Sequence, residues 1–437
     1  MTWVSTRGQS PAVPFIDALF AGTAPDGGLY FPDRFEPLPA STLASLRTAD
    51  LVDIGTVVGT HLLGGDMSEQ DMRAIVTDAL DFPIPLVQVS DRAWVLELFH
   101  GPTLAFKDVG ARVQARLLHH FTDGTPLTIL VATSGDTGSA VADAFHGVPD
   151  SRVFVLYPQG QVTDVQEAQM ASLGGNITAV AVRGTFDDCQ RLVKQAFADD
   201  EVRKRVWLTP ANSINLGRLL PQVFYYFILA RLVGPSAFAK ASADKAELIV
   251  SVPSGNFGNL TAGLIAKRLG LPVRQFVAAT NVNDVVPEYL RTGVYTPRPS
   301  TRTVANAMDV GAPSNFERIR AMYDDNIGRI REDLVGAAFD DAAVVAEIGR
   351  VHRARKYLLD PHGAIAWLGL QEQLARHPRA TGVFLATAHP AKFREVVEPA
   401  IGGRVPLPTA LSDAIGRPRQ SAHIDVDYPA LVDLVIR

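Results

Sequence analysis

Leu127-Thr128-Ile129-Leu130-Val131-Ala132 is an almost wholly apolar run of strand length, and it leads through Thr133-Ser134-Gly135-Asp136-Thr137-Gly138 into Ser139-Ala140-Val141-Ala142-Asp143-Ala144-Phe145. A strand apolar on both faces belongs inside a parallel sheet covered on both sides, and small residues let the following helix pack closely on it. The same order recurs at Leu248-Ile249-Val250-Ser251-Val252, where the turn is Pro253-Ser254-Gly255-Asn256-Phe257-Gly258-Asn259 and the helix runs to Leu269. Further strands are expected at Val95–Phe99, Arg152–Tyr157, Ile177–Val182, Val273–Ala279 and Val383–Thr387. Strands alternating with helices predict the α/β class with parallel sheets. Two such series, separated near Gly234-Pro235-Ser236, predict two doubly wound α/β domains with a cleft between them. Residues before 93 carry short helical patterns, such as Ser41–Leu46 and Glu69–Val76. The expected division is a mainly helical extension over 1–92, one α/β domain over 93–235 and a second over 236–437.

The totals exclude several functions. At 437 residues the chain is too long for one compact core. Its net charge of -5 argues against nucleic acid or an acidic membrane surface as a partner, since both select basic patches. The longest apolar stretch, Phe224–Ala230, stops at Arg231 and falls well short of the ~20 residues of a spanning helix. With no basic-then-apolar leader at Met1–Gly8, a cytoplasmic location is expected. The single cysteine, Cys189, excludes an intrachain disulfide and is in phase with Phe186 and Val193, which predicts a core thiol. The ten histidines show no metal-binding spacing, so no metal is expected.

The chemistry gathers at three loops. In His100-Gly101-Pro102-Thr103-Leu104-Ala105-Phe106-Lys107-Asp108, one lysine sits between a Gly-Pro-Thr turn and a helical pattern, flanked by apolar residues. Apolar surroundings disfavour the ammonium and leave the Lys107 amine available for Schiff-base chemistry. Ser254-Gly255-Asn256-Phe257-Gly258-Asn259 ends a strand and opens a helix, so its N–H groups can hold a phosphate. It matches neither a Walker A loop nor Gly-x-Gly-x-x-Gly. The loop Thr133–Gly138 occupies the same position after its own strand, and its N–H groups and hydroxyls suit a carboxylate.

The nonapeptide at 100–108 closely resembles the cofactor-lysine motif of the threonine synthases, pyridoxal-phosphate enzymes related to the tryptophan synthase β chain. Ser5–Gly8, Asp26–Pro32, Asn212–Arg218 and Ala307–Arg318 resemble that family specifically, and the early helical region resembles the extension of its bacterial and fungal branch. The resemblance implies the fold of the type II pyridoxal-phosphate enzymes. Lys107 is then the catalytic residue and carries the cofactor, while Ser254, Gly255, Asn256, Phe257, Gly258 and Asn259 cup its phosphate. It places Ser134, Gly135 and Thr137 on the substrate carboxylate and Thr387, in Leu385–Phe393, at the pyridine nitrogen. Asp136 stands where relatives commonly carry Asn near the cofactor's 3′-oxygen; an acidic group there would repel a phenolate-like oxygen unless a proton is shared. A substrate phosphate needs separate donors: Arg218 first, then Asn215, Thr103 and Lys392, with Arg7 more remote.

The activity so implied is conversion of O-phospho-L-homoserine and water to L-threonine and phosphate, by a monomer or homodimer acting on a small molecule. A hydroxyl at Thr387 cannot support a protonated ring nitrogen as an Asp would, which suits elimination and replacement over transamination. The rival readings are another lyase on the same scaffold, either a serine/threonine dehydratase or a catabolic phospho-amino-acid lyase, and a non-catalytic binding protein.

Overall fold

A computed structural model describes residues 2–234 and 247–436. The boundary expected at 235–236 lies outside the described residues. In chain order the strands are β1 (Trp3–Ser5), β2 (Tyr30–Pro32), β3 (Leu86–Ser90), β4 (Ala93–Glu97), β5 (Leu127–Ala132), β6 (Ser151–Pro158), β7 (Ile177–Val182), β8 (Trp207–Thr209), β9 (Leu248–Pro253), β10 (Gln275–Thr280), β11 (Leu334–Ala338), β12 (Thr381–Ala386) and β13 (Ser421–Ile424). β1 and β2 pair antiparallel. A six-stranded sheet has the order β11-β10-β9-β12-β4-β3 and a five-stranded sheet the order β13-β7-β6-β5-β8. Every ladder in the two large sheets is parallel except β3 against β4.

The expected strands are present, with their ends moved by a residue or two. The sheets, however, cut across sequence order. β4 lies in the span expected to form the first α/β domain, yet it pairs with β12, placing Leu96 opposite Leu385. Its Ala93 and Val95 bury with Ile249, Phe384 and Trp367 beneath the helix Pro361–Arg376. β13 lies in the second span and completes the five-stranded sheet beside β7.

Before β3 the chain forms helices Phe15–Ala21, Ala40–Ser45, Leu51–Leu63 and Glu69–Ala79. Asp50 and Ser68 start the longer two by accepting from the N–H groups of Asp53 and Asp71. This region shares one continuous core with both sheets: Trp3, Phe15 and Leu19 join Val113, Leu216, Phe224, Leu260 and Phe276. The stretch 224–230 is buried, as a helix Gln222–Tyr226 that tightens into a 3-10 turn over Phe227–Leu232. Cys189 is buried on the far face of the five-stranded sheet, where burial pushes its thiol up to about 12. Among the described residues no helix is long and apolar enough to cross a membrane.

Candidate active site

β9, β12 and β4 are neighbours and parallel, so the loops that follow them leave the same end of the sheet. These loops carry Ser254–Asn259, Thr387–Phe393 and Gly101–Lys107. The outer two stand two strand spacings apart, about 10 Å, which suits a small ring with a phosphate arm. The Lys107 and Thr387 loops are sewn together: Leu98 N–H donates to Ala386 O at 2.9 Å, Phe106 N–H to Thr387 O at 2.8 Å, and His389 N–H to Leu104 O at 3.0 Å. Leu104 is held in the left-handed region (φ 58°), a conformation a leucine keeps only where its surroundings impose it. His100 turns to Glu97, with 2.7 Å between Nε2 and Oε2.

Lys107 is the first residue of the helix Lys107–Phe121. Its side chain is partly buried, and burial brings the amine down to about 8. Asp136 opposes that shift, whereas Lys392 and Arg218 add to it. The neighbouring Asp108 is buried and receives both the N–H (2.9 Å) and the hydroxyl of Thr103. Burial pushes its carboxyl up to about 7, against the pull of those Thr103 bonds.

Asp136 opens the helix Asp136–Phe145 after β5, and the sequence left it beside an oxygen that it should repel. The structure supplies the missing partner. Lys392 Nζ lies 2.8 Å from Asp136 Oδ1, with the lysine side chain fully buried, and Gln166 Nε2 donates to the same oxygen at 2.9 Å. Burial alone would raise this carboxyl, but Lys392 and Lys107 hold it well below the usual carboxylate range. Lys392 therefore does not stand free for a substrate phosphate. Gly135 at the head of the loop has φ 137°, and a Cβ there would strike the Gln166 amide, so only glycine fits. The Thr133 hydroxyl accepts from Gly135 N–H (2.9 Å) and Gly138 N–H (2.8 Å), leaving the loop tip to Ser134, exposed, and Thr137, half-buried.

The helix Gly258–Arg268 begins after Phe257, itself left-handed at φ 62°, and has no side-chain cap. Gly258, Asn259 and Leu260 are buried, so the orphan N–H groups of this first turn need an acceptor that water cannot freely supply. Gly255 lies against the segment 307–308; a Cβ there would come within 2.6 Å of Ala307 O. Asn256 braces the cup from the side, donating to Ser213 Oγ (2.6 Å) and accepting from Ser314 N–H (2.5 Å). The Asn259 side chain turns away from the cup to receive the hydroxyls of Tyr225 and Tyr226, both at 2.7 Å.

Two further candidates for the substrate phosphate are committed elsewhere. Asn215 caps the helix Leu216–Leu219 through Gly217 N–H (2.8 Å) and donates to Leu19 O (2.7 Å) and Pro210 O (3.0 Å). The Thr103 carbonyl receives Lys392 Nζ at 2.8 Å, so all its polar groups are engaged. Arg218 differs. It is buried, donates from Nη1 to Ala211 O at 2.7 Å, and its Nε has no protein partner. Burial brings it down to about 10. Arg7 is half-exposed and bonds to Glu317 and to Asp26 O. Sequence reasoning missed Gln166, which carries no motif, and Arg318, a buried guanidinium bonded to Tyr30 O (2.8 Å), Asn315 Oδ1 (2.6 Å) and Ile214 O (2.5 Å).

A family model described as "Pyridoxal-phosphate dependent enzyme" matches residues 81–387, and models described as "Threonine synthase N terminus" and "Threonine synthase, C-terminal" match 2–80 and 364–435. The chain is 41% identical to a threonine synthase of Escherichia coli over 437 residues, covering 100% of this chain and 99% of the relative. It is 44% identical to one from Haemophilus influenzae, covering 96% of each. The chain belongs to the threonine synthase family. A crystal structure of threonine synthase from Escherichia coli superposes with a TM-score of 0.91 at 41% identity, covering 99% of each chain. A pyridoxal-phosphate-bound threonine synthase from Brucella melitensis superposes with a TM-score of 0.92 at 37% identity, covering 100% of this chain and 99% of the other.

This member of the threonine synthase family is a lyase that depends on pyridoxal phosphate, and its residues fit that group. The buried, uncapped helix start at 258 suits a phosphate, the depressed Lys107 amine an aldehyde, and Thr387 a neutral ring nitrogen.

Proposed function

We propose that the chain converts O-phospho-L-homoserine and water to L-threonine and phosphate, with Lys107 as its catalytic residue. The observation that carries this reading is the Lys107 amine, which makes no direct ion pair among the described residues and stands at the sheet end that holds the uncapped helix start. When bound, pyridoxal phosphate supplies an electron sink for charge that develops on the substrate carbons.

The chain's own residues do the rest. Gly135 N–H is held by Thr133, and the remaining N–H groups of the loop 134–137, with the Ser134 and Thr137 hydroxyls, hold the substrate carboxylate at the head of the helix Asp136–Phe145. The Lys107 amine would be the base that takes the Cα proton and moves protons at Cβ. The C–O bond to phosphate breaks at Cγ, which takes up a proton to become the methyl group; the hydroxyl of water adds at Cβ, and Cα regains its proton. Arg218, with its unpartnered Nε, is the cation we assign to the substrate phosphate. The Thr387 hydroxyl would hold the ring nitrogen of a bound cofactor without charge, which would favour elimination and replacement.

The substrate is a small molecule. We infer a cytoplasmic protein, a monomer or homodimer, with no nucleic-acid partner given the net charge of -5. The rival lyase reading is not favoured, because the full-length relatives are threonine synthases. Incubating the purified holoprotein with O-phospho-L-homoserine tests the proposal. Threonine and phosphate should appear in equal amounts; a 2-oxo acid without threonine would overturn it.

A further inference from the structure

Lys107 and two further cations converge at the cofactor lysine's site, and among the described residues two acidic side chains, Asp136 and Asp108, act on the Lys107 amine. Lys107 starts one helix, Lys392 lies in the turn Pro390–Phe393, and Arg218 lies in the helix Leu216–Leu219. The carboxylates are Asp108, on the helix of Lys107, and Asp136, on the helix after β5. Asp108 already receives two bonds from Thr103. Asp136 is therefore the one carboxylate for which the two lysines compete.

Lys392 holds it through built geometry. Its Nζ reaches Asp136 Oδ1 at 2.8 Å and the Thr103 carbonyl at 2.8 Å, so two of its three donors are fixed in the interior. Its own turn is pinned by Lys392 N–H to His389 O (3.0 Å) and Ala391 N–H to His389 Nδ1 (3.1 Å). From the other side Gln166 holds Asp136 in place. A buried ion pair stands only where additional hydrogen bonds offset its desolvation, and this one has them on both partners.

We propose that Lys392 is a positioning residue: by occupying Asp136 it keeps that carboxylate from pairing with Lys107, and so leaves the Lys107 amine open to the cofactor aldehyde. This rests on the reading of Lys107 as the cofactor lysine. An amine locked as an ammonium against a buried carboxylate has no lone pair to offer. The amine brought down to about 8 agrees with an unpaired Lys107.

The test is a double-mutant cycle on cofactor uptake. Apoprotein is mixed with pyridoxal phosphate across a pH range, and the rate at which lysine-bound absorbance appears gives the apparent pKa of the amine. Lys392→Met releases Asp136 toward Lys107, so the pKa should rise, with uptake at neutral pH slowed roughly tenfold per unit of rise. In an Asp136→Asn background the same substitution should change uptake by no more than about twofold, since the effect runs through the carboxylate. Lys392→Arg keeps the pair and should keep the parent profile. Lys392→Gln fills similar space without the charge, and serves as the reading if the Met variant does not fold.

Equal shifts in the two backgrounds would make Lys392 only a through-space charge and overturn the proposal, as would no shift in either. Failure of the broader reading looks different, because the parent apoprotein would then form no lysine-bound absorbance at all.

Discussion

Lys107 and Lys392 share a side chain and are put to opposite uses by their surroundings. One is without a direct ion pair, and burial disfavours its ammonium; the other is paired with Asp136 in the interior. Lys107→Ala should leave a folded protein that shows no lysine-bound visible absorbance with pyridoxal phosphate, and borohydride should then fix no cofactor to it. Its threonine formation should fall by at least about a thousandfold. Asp108 supplies a pH signature. Its carboxyl, raised to about 7, keeps a proton in the folded protein that the unfolded chain loses near pH 4. Folded protein therefore binds more protons across that window, and its stability falls as pH climbs from about 4 to about 7. Asp108→Asn should remove this slope. Urea midpoints at pH 5 and pH 7 should show the variant gaining on the parent by up to about 1.4 kcal/mol per pH unit. The local setting of Lys107 was legible in the sequence, because a turn, apolar flanks and a helix start fall within nine residues. The Asp136–Lys392 pair was not legible, since nothing near either residue names the other.

At the scale of elements, legibility followed apolar content. β5 and β7 were placed to the residue because their runs are apolar on both faces and bounded by turns. β13 was missed. Its four residues, Ser421–Ile424, include an exposed His423, and they become a strand only because β7 offers an edge. Long-range pairing overrode local preference there; for β4, an expected strand, it decided only which sheet the strand joins. The phosphate cup tests whether a loop works through its backbone. Gly255→Ala would bring a Cβ within 2.6 Å of Ala307 O and 2.9 Å of Met308 Cα, atoms that cannot rotate aside. Overpacking of this kind costs roughly 1–3 kcal/mol. Fluorescence titration should find cofactor bound about ten- to a hundredfold more weakly, with unchanged far-UV circular dichroism.

Across the whole molecule, Arg318 ties regions that sequence reading had treated as separate. Its guanidinium joins Tyr30 of the early helical region to the turn 213–214 and to Asn315, beside the cup. No carboxylate pairs with it among the described residues, and burial brings it down to about 9. Arg318→Met strands several buried acceptors and should lower stability by roughly 3 kcal/mol, read as a fall in the urea midpoint. Loss of cofactor affinity should accompany it, because Asn315 also braces Ser213. The sheets carry a different kind of consequence. β5 to β8 are complete in sequence at residue 209, but β13, which covers the free side of β7, begins at residue 421. A ribosome adding about 5–20 residues per second needs roughly 10–40 seconds to cross that gap. Throughout that interval the nascent chain carries an open edge on β7, two strands from β5 and the loop it leads into, and open edges are where neighbouring chains pair. Slowing translation between codons 209 and 421 should therefore increase the aggregated fraction without altering the protein that does fold.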